Sequence, residues 1–133
     1  MRFLLFLFCL QLLPVLSQEP SSDEQELYEL IMDYRASKGL PNIALSPSLT
    51  KVAQLHSKDL SENRPDQGKC NGHSWSNEGD WTPCCYTSDH KKASCMWDKP
   101  KELTSYQFPG YEISCVGSEP LSPSKALETW KKS

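Results

Sequence analysis

A chain of 133 residues with 14 basic and 17 acidic side chains carries a formal charge of −3 and shows no basic stripe, which excludes nucleic acid as a partner. That length suits one domain with a modest core. Six cysteines in so short a chain point to an oxidising compartment, and without two separated Cys-x-x-Cys knuckles they argue for disulfides over structural zinc.

Arg2 precedes an apolar run from Phe3 to Leu16, and Val15-Leu16-Ser17 offers small or modest side chains at the cleavage positions. Residues 1–17 therefore read as a secretory signal peptide, with Gln18 the new N-terminus. An apolar run of about 14 residues is too short to span a bilayer comfortably, and no later segment is longer. Residues 18–133 are expected to form a single secreted, extracellular domain, a monomer and not an integral membrane protein. Losing Arg2 leaves 13 basic against 17 acidic residues.

Ser21-Ser22-Asp23-Glu24-Gln25 has the pattern of a capping box. Leu27, Leu30, Ile31 and Tyr34 then recur at helical spacing, and Gly39 suits a helix end that needs positive φ, so a helix is predicted over 23–37. Residues 40–45 form an extended connector whose apolar side chains are expected to tuck under the next helix. Ser46-Pro47 starts that helix, with Leu49, Val52, Ala53, His56 and Leu60 on one face, over 47–62. His56 on that face reads as a core histidine with one satisfied nitrogen. Residues 63–71 read as loop.

Residues 70–110 hold three tryptophans and four cysteines without a sustained period. They predict a loop-rich region stapled by disulfides, with short strands. Cys9 leaves with the leader, so Cys70, Cys84, Cys85, Cys95 and Cys115 remain, an odd number. A bridge between neighbouring Cys84 and Cys85 would be strained. They are expected to face different partners, Cys70 taking one and Cys95 the other, with Cys115 left over; the sequence does not choose which. The run Cys70-Asn71-Gly72-His73-Ser74-Trp75-Ser76 sets a histidine among cysteine and tryptophan, and Glu112 lies where the fold could return a carboxylate to it. Such a pair can bind a metal or poise a proton. Tyr111 to Val116 alternates and reads as a strand. Ser122-Pro123 opens a third helix carrying Leu127 and Trp130.

Five segments in order resemble the CAP superfamily, which comprises cysteine-rich secretory proteins, antigen 5 and pathogenesis-related group 1 proteins. They are the helix ending in Tyr34-Arg35 with its Gly-Leu-Pro connector; Leu45-Ser46-Pro47-Ser48-Leu49 leading to His56 and Asp59-Leu60; His73-Ser74-Trp75; Gly110-Tyr111-Glu112-Ile113; and Ala126-Leu127-x-x-Trp130. The resemblance implies an α+β fold, an α–β–α sandwich with a small, mainly antiparallel sheet between helices. It also implies a cleft of two histidines and two acids. His73 is similar to the first histidine and Glu112 to the first acid. Ser133 stands where the second acid is expected, and the second histidine and last strands are expected to be absent, so the domain reads as C-terminally short.

One imidazole and one carboxylate give two ligands where zinc needs three or four, so any zinc or other divalent metal at His73 and Glu112 is expected to be weak. A serine-type site can be assembled on paper from Ser74 or Ser76 with His73 and Glu112, but no Gly-x-Ser-x-Gly elbow supports it. Trp75, Trp81, Trp97 and Tyr86 are expected to pack over the disulfides rather than line a lipid groove. His90 is expected to hold Asp89. The sequence thus points to a secreted binding or interaction module without catalysis, with a cleft at His73 and Glu112 and an extracellular protein or small apolar ligand as partner. A secreted metal-dependent or serine-type protease and a lipid or sterol carrier are the alternatives.

Overall fold

The structure, a computed structural model, describes residues 19–118 and 120–132; the expected signal peptide lies outside them. Among the described residues five helices follow in chain order: α1 (Ser22–Ser37), α2 (Pro47–Asn63), α3 (Ser94–Trp97), α4 (Lys99–Leu103) and α5 (Pro123–Trp130).

The three long helices begin where the cap residues dictate. Ser21 accepts from Glu24 N–H while Glu24 reaches back to Ser21 N–H, a full capping box on α1. Ser46 and Ser122 cap α2 and α5, each followed by a proline in the first turn. At the end of α1, Gly39 takes φ +71°. That turn lets Gly39 N–H reach Ala36 O at 2.9 Å and Leu40 N–H reach Arg35 O at 3.0 Å, which satisfies carbonyls the helix leaves open.

The middle of the chain departs from expectation. Residues 70–110 hold two short helices, α3 and α4, and a single antiparallel bridge between Trp75 and Cys84. No sheet forms among the described residues. Residues 111–116, expected to be a strand, form no ladder among the described residues. The small sheet that the resemblance implies is thus not seen here.

The connector 40–45 is also different. Leu40, Ile43 and Leu45 are 44–53% exposed instead of tucked under α2. Tyr28 hydroxyl donates to Ile43 O, Arg35 Nε to Pro41 O, and Ile43 N–H points at Met32 Sδ. These polar ties hold the connector backbone to α1 and leave its apolar side chains facing outward.

The core is small and centred on the middle region. Trp75, Tyr86 and Cys95 are buried, with Val52, Leu55, Trp81, Cys84 and Leu103 packed against them. Cys70 bonds Cys85 and Cys84 bonds Cys95, so the two adjacent cysteines do face different partners and Cys115 is a free thiol. The aromatics Trp75 and Tyr86 pack beside these bridges, while Trp97 stays 41% exposed. α2 packs on α4, and α5 packs on α1, where Lys131 Nζ lies 4.8 Å over the Tyr34 ring.

Candidate functional site

Two residues one turn apart on α2 grip the loop that carries His73. His56 and Asp59 are both 1% exposed. The His56 ring stacks on Trp75, centroids 4.3 Å apart and planes 8° from parallel, and its Nε2 bonds Ser74 O at 2.9 Å. Asp59 accepts from Ser76 N–H at 2.8 Å, from the Ser76 hydroxyl at 2.5 Å and from Asn63 Nδ2 at 2.8 Å. The loop is closed from its other side: Ser74 Oγ accepts from Tyr86 N–H at 2.9 Å, and the Trp75–Cys84 bridge joins the same two segments.

Glu112, in the segment 111–116, joins both histidines. Oε1 lies 2.5 Å from His56 Nδ1, and Oε2 lies 2.8 Å from His73 Nδ1. Ser74 O can only accept, so His56 Nε2 carries a proton, and its Nδ1 faces a carboxylate. Burial pushes the Glu112 carboxyl up, but the His56 and His73 hydrogen bonds and the charge of the two rings outweigh it, so Glu112 sits below the ordinary carboxylate range. An ionised Glu112 thus faces the Nδ1 atoms of both rings, while His56 Nε2 donates to Ser74 O. Such charge-assisted bonds are about twice as strong as neutral ones. The result is a carboxylate clamp between two imidazoles, one buried and one 23% exposed at its side chain.

The segment needs close approach to reach this position. A Cβ on Gly72 would lie 2.8 Å from Ser114 Oγ and 2.9 Å from Val116 Cγ2, so a larger residue there would have to push both side chains aside. Trp130 Nε1 donates to Ser114 O at 3.4 Å and fastens the segment from α5.

The structure thus brings His73 and Glu112 together and adds His56, which was expected to be a core residue with one bonded nitrogen. His56 is indeed in the core, but both of its nitrogens are engaged. The signal that could have found it is chemical: a fully buried imidazole has two nitrogens to satisfy, and a lone apolar helix face supplies neither partner. His90 does not hold Asp89. Its Nδ1 meets the Tyr86 hydroxyl at 3.1 Å, and Asp89 bonds Thr87 and Lys91.

A divalent metal does not fit at His73 and Glu112. Both carboxylate oxygens already accept from imidazole N–H groups. That leaves His73 Nε2 as the remaining donor there, short of the three or four a zinc ion takes. Among the described residues no group of three or more His, Cys, Asp or Glu is arranged to hold a metal ion. The serine arrangement fares no better. The Ser74 hydroxyl is 0% exposed and tied to the Tyr86 backbone, and the Ser76 hydroxyl is tied to Asp59.

Beside Glu112 lies a groove of about 240 Å³ lined by Leu49, Val52, Trp75, Met96, Tyr111 and Ile113, among others. A second, almost wholly apolar groove of about 220 Å³ lies between α1 and α2, lined by Leu27, Tyr28, Ile31, Leu45 and Ala53 among others. A larger hollow of about 530 Å³, lined by Lys51, Asp59, Trp81 and Glu102 among others, contains none of the three clamp residues. No described helix is long and apolar enough to cross a membrane.

No match is found among curated proteins or among solved structures. A model of the CAP family, described as the cysteine-rich secretory protein family, matches residues 28–133, a span that takes in α1 from Tyr28 onward, the disulfide loop, both histidines and Glu112. By that match over most of its length, the chain belongs to the cysteine-rich secretory protein (CAP) family.

Proposed function

We propose that residues 18–133 form a single secreted domain, released from a signal peptide at 1–17, that acts outside the cell as a binding module without catalysis. The site is the groove that Glu112 lines, next to the contact that joins Glu112 to His73. Family membership supports the extracellular assignment. The observation that carries the reading is the double engagement of Glu112: each of its oxygens lies within hydrogen-bond distance of an imidazole. A carboxylate so engaged holds structure together, and the neighbouring apolar wall, with Tyr111 80% and Ile113 55% exposed, offers contact area.

Purified chain is incubated with generic peptide and ester substrates, wild type beside His73→Ala. The reading expects no turnover that depends on His73; His73-dependent hydrolysis would establish the protease alternative instead. Binding to extracellular protein fractions is then compared between wild type and Tyr111→Ser, with loss of binding expected in the variant.

A carrier of small apolar ligands is the second reading, favoured by the groove between α1 and α2. At about 220 Å³ it falls below the roughly 300–1,000 Å³ of pockets that enclose drug-sized ligands. Mass spectrometry of organic extracts from the purified protein tests it, and a stoichiometric lipid would favour the carrier.

A further inference from the structure

Two of the three methionines, Met32 and Met96, lie among the described residues, and each turns its sulfur to a backbone N–H. Ile43 N–H points at Met32 Sδ at 3.3 Å, and Glu112 N–H points at Met96 Sδ at 3.2 Å. A thioether is a weak acceptor, and one N–H leaves its sulfur a second lone pair open to an oxidant. The two contacts differ in what they hold. Met32 ties the connector that follows α1. Met96 ties the residue whose carboxylate reaches His56 Nδ1 at 2.5 Å and His73 Nδ1 at 2.8 Å.

Chemistry at the Met96 sulfur is therefore passed on to the clamp. Cys95, its neighbour in α3, is bridged to Cys84, and Gly110 N–H donates to Trp97 O at 2.9 Å, so the backbone on either side of the contact is fastened. Met96 is half-buried, whereas Cys95 is buried and already oxidised as a disulfide. A small oxidant reaches the thioether without unfolding the chain.

We propose that Met96 is an oxidative modification site: a hydroperoxide converts its thioether to the sulfoxide, which displaces Glu112 N–H and loosens the hold of Glu112 on both histidines. A sulfur lone pair attacks the outer peroxide oxygen, and the O–O bond breaks as the S–O bond forms. The proton of the transferred hydroxyl passes to the leaving oxygen, so hydrogen peroxide leaves as water. The sulfur is oxidised by two electrons and the peroxide is reduced by two. The product is polar and chiral, with two epimers. Where the new oxygen faces Glu112 N–H, the usual N–H···O spacing of about 2.9–3.0 Å is counted from an atom one bond beyond the sulfur, so residue 112 has to retreat. Where the oxygen takes the other lone pair, the sulfur becomes electron-poor and Glu112 N–H loses its acceptor. Both epimers move the carboxylate relative to the rings.

The full chain is treated with hydrogen peroxide and mapped by peptide mass spectrometry, with nitrogen-15 signals of the histidine rings recorded before and after. Met96 is expected to gain one oxygen while the chain stays folded, and the Nδ1 signals of His56 and His73 are expected to shift. Sulfoxide reductases acting on both epimers should return the signals to their starting positions. Met96→Leu, a change that nearly conserves volume, leaves Met32 and Cys115 oxidisable, and its ring signals should stay put under peroxide. Met32→Leu should respond as wild type does. A Met96 that gains oxygen only once the chain unfolds, ring signals unmoved by complete conversion, or an equal shift in Met96→Leu would each overturn the proposal. Glu112→Gln reports the clamp separately: rings that respond to that substitution but not to oxidation of Met96 overturn this proposal and leave the clamp standing.

Discussion

The first helix and the disulfide loop divide the work of the fold unequally. α1 is a regular helix, capped at both ends, and it buries no residue fully. The loop between Cys70 and Cys95 has one bridge and little periodicity, and it holds Ser74, Trp75, Tyr86 and Cys95, all buried. Regularity and burial are therefore separate properties here. Hydrogen bonds within the chain's own turns define α1, whereas aromatic area and two covalent bridges define the loop.

Mutations should reproduce that division. Trp75→Ala removes the indole that contacts His56, Trp81 and Lys99, and is expected to cost about 3–5 kcal/mol, read as a shift in denaturant midpoint. Replacing Cys70 and Cys85 together by serine opens a bridge of sequence separation 15. The expected loss is about 3 kcal/mol, read in the same way. Glu112→Gln leaves two imidazoles facing an amide that cannot accept from both. About 2–3 kcal/mol should be lost, discounted because the Glu112 side chain is 25% exposed. On α1, Ser21→Ala removes a surface cap and should cost about 1 kcal/mol. An α1 cap that proved as costly as Trp75 would break the contrast.

Acid sharpens it. The Glu112 carboxyl has a folded value below its unfolded one. Its contribution is therefore fully present above the unfolded carboxylate range and is lost as pH falls through the lower folded value. Stability should decline below about pH 5, and Glu112→Gln should flatten that decline. Glu102, raised by burial but lowered more by Lys99 and Thr82, acts in the same direction and leaves a residual slope.

How much could be read from residues alone follows the same line. Ser21, Ser46, Ser122 and Gly39 act locally, through bonds three or four residues away, so α1, α2 and α5 were legible. The alternation of 111–116 was legible as well, and so was the meeting of His73 with Glu112 through the family resemblance. A strand, however, needs a neighbour, and no local pattern shows whether one lies alongside. α3 and α4 are too short to carry a period. His56 was misjudged because its second partner comes from Glu112, 56 positions away. The connector misled because Tyr28, Arg35 and Met32 hold its backbone through contacts that hydropathy does not register.

Proton placement on the two imidazoles tests the central claim most directly. Nitrogen-15 correlation spectra of the histidine rings should show His73 with its proton on Nδ1, and the Nδ1 signals of both His56 and His73 shifting in Glu112→Gln. A His73 ring bare at Nδ1, or ring signals indifferent to Glu112→Gln, would show that no carboxylate joins the two rings.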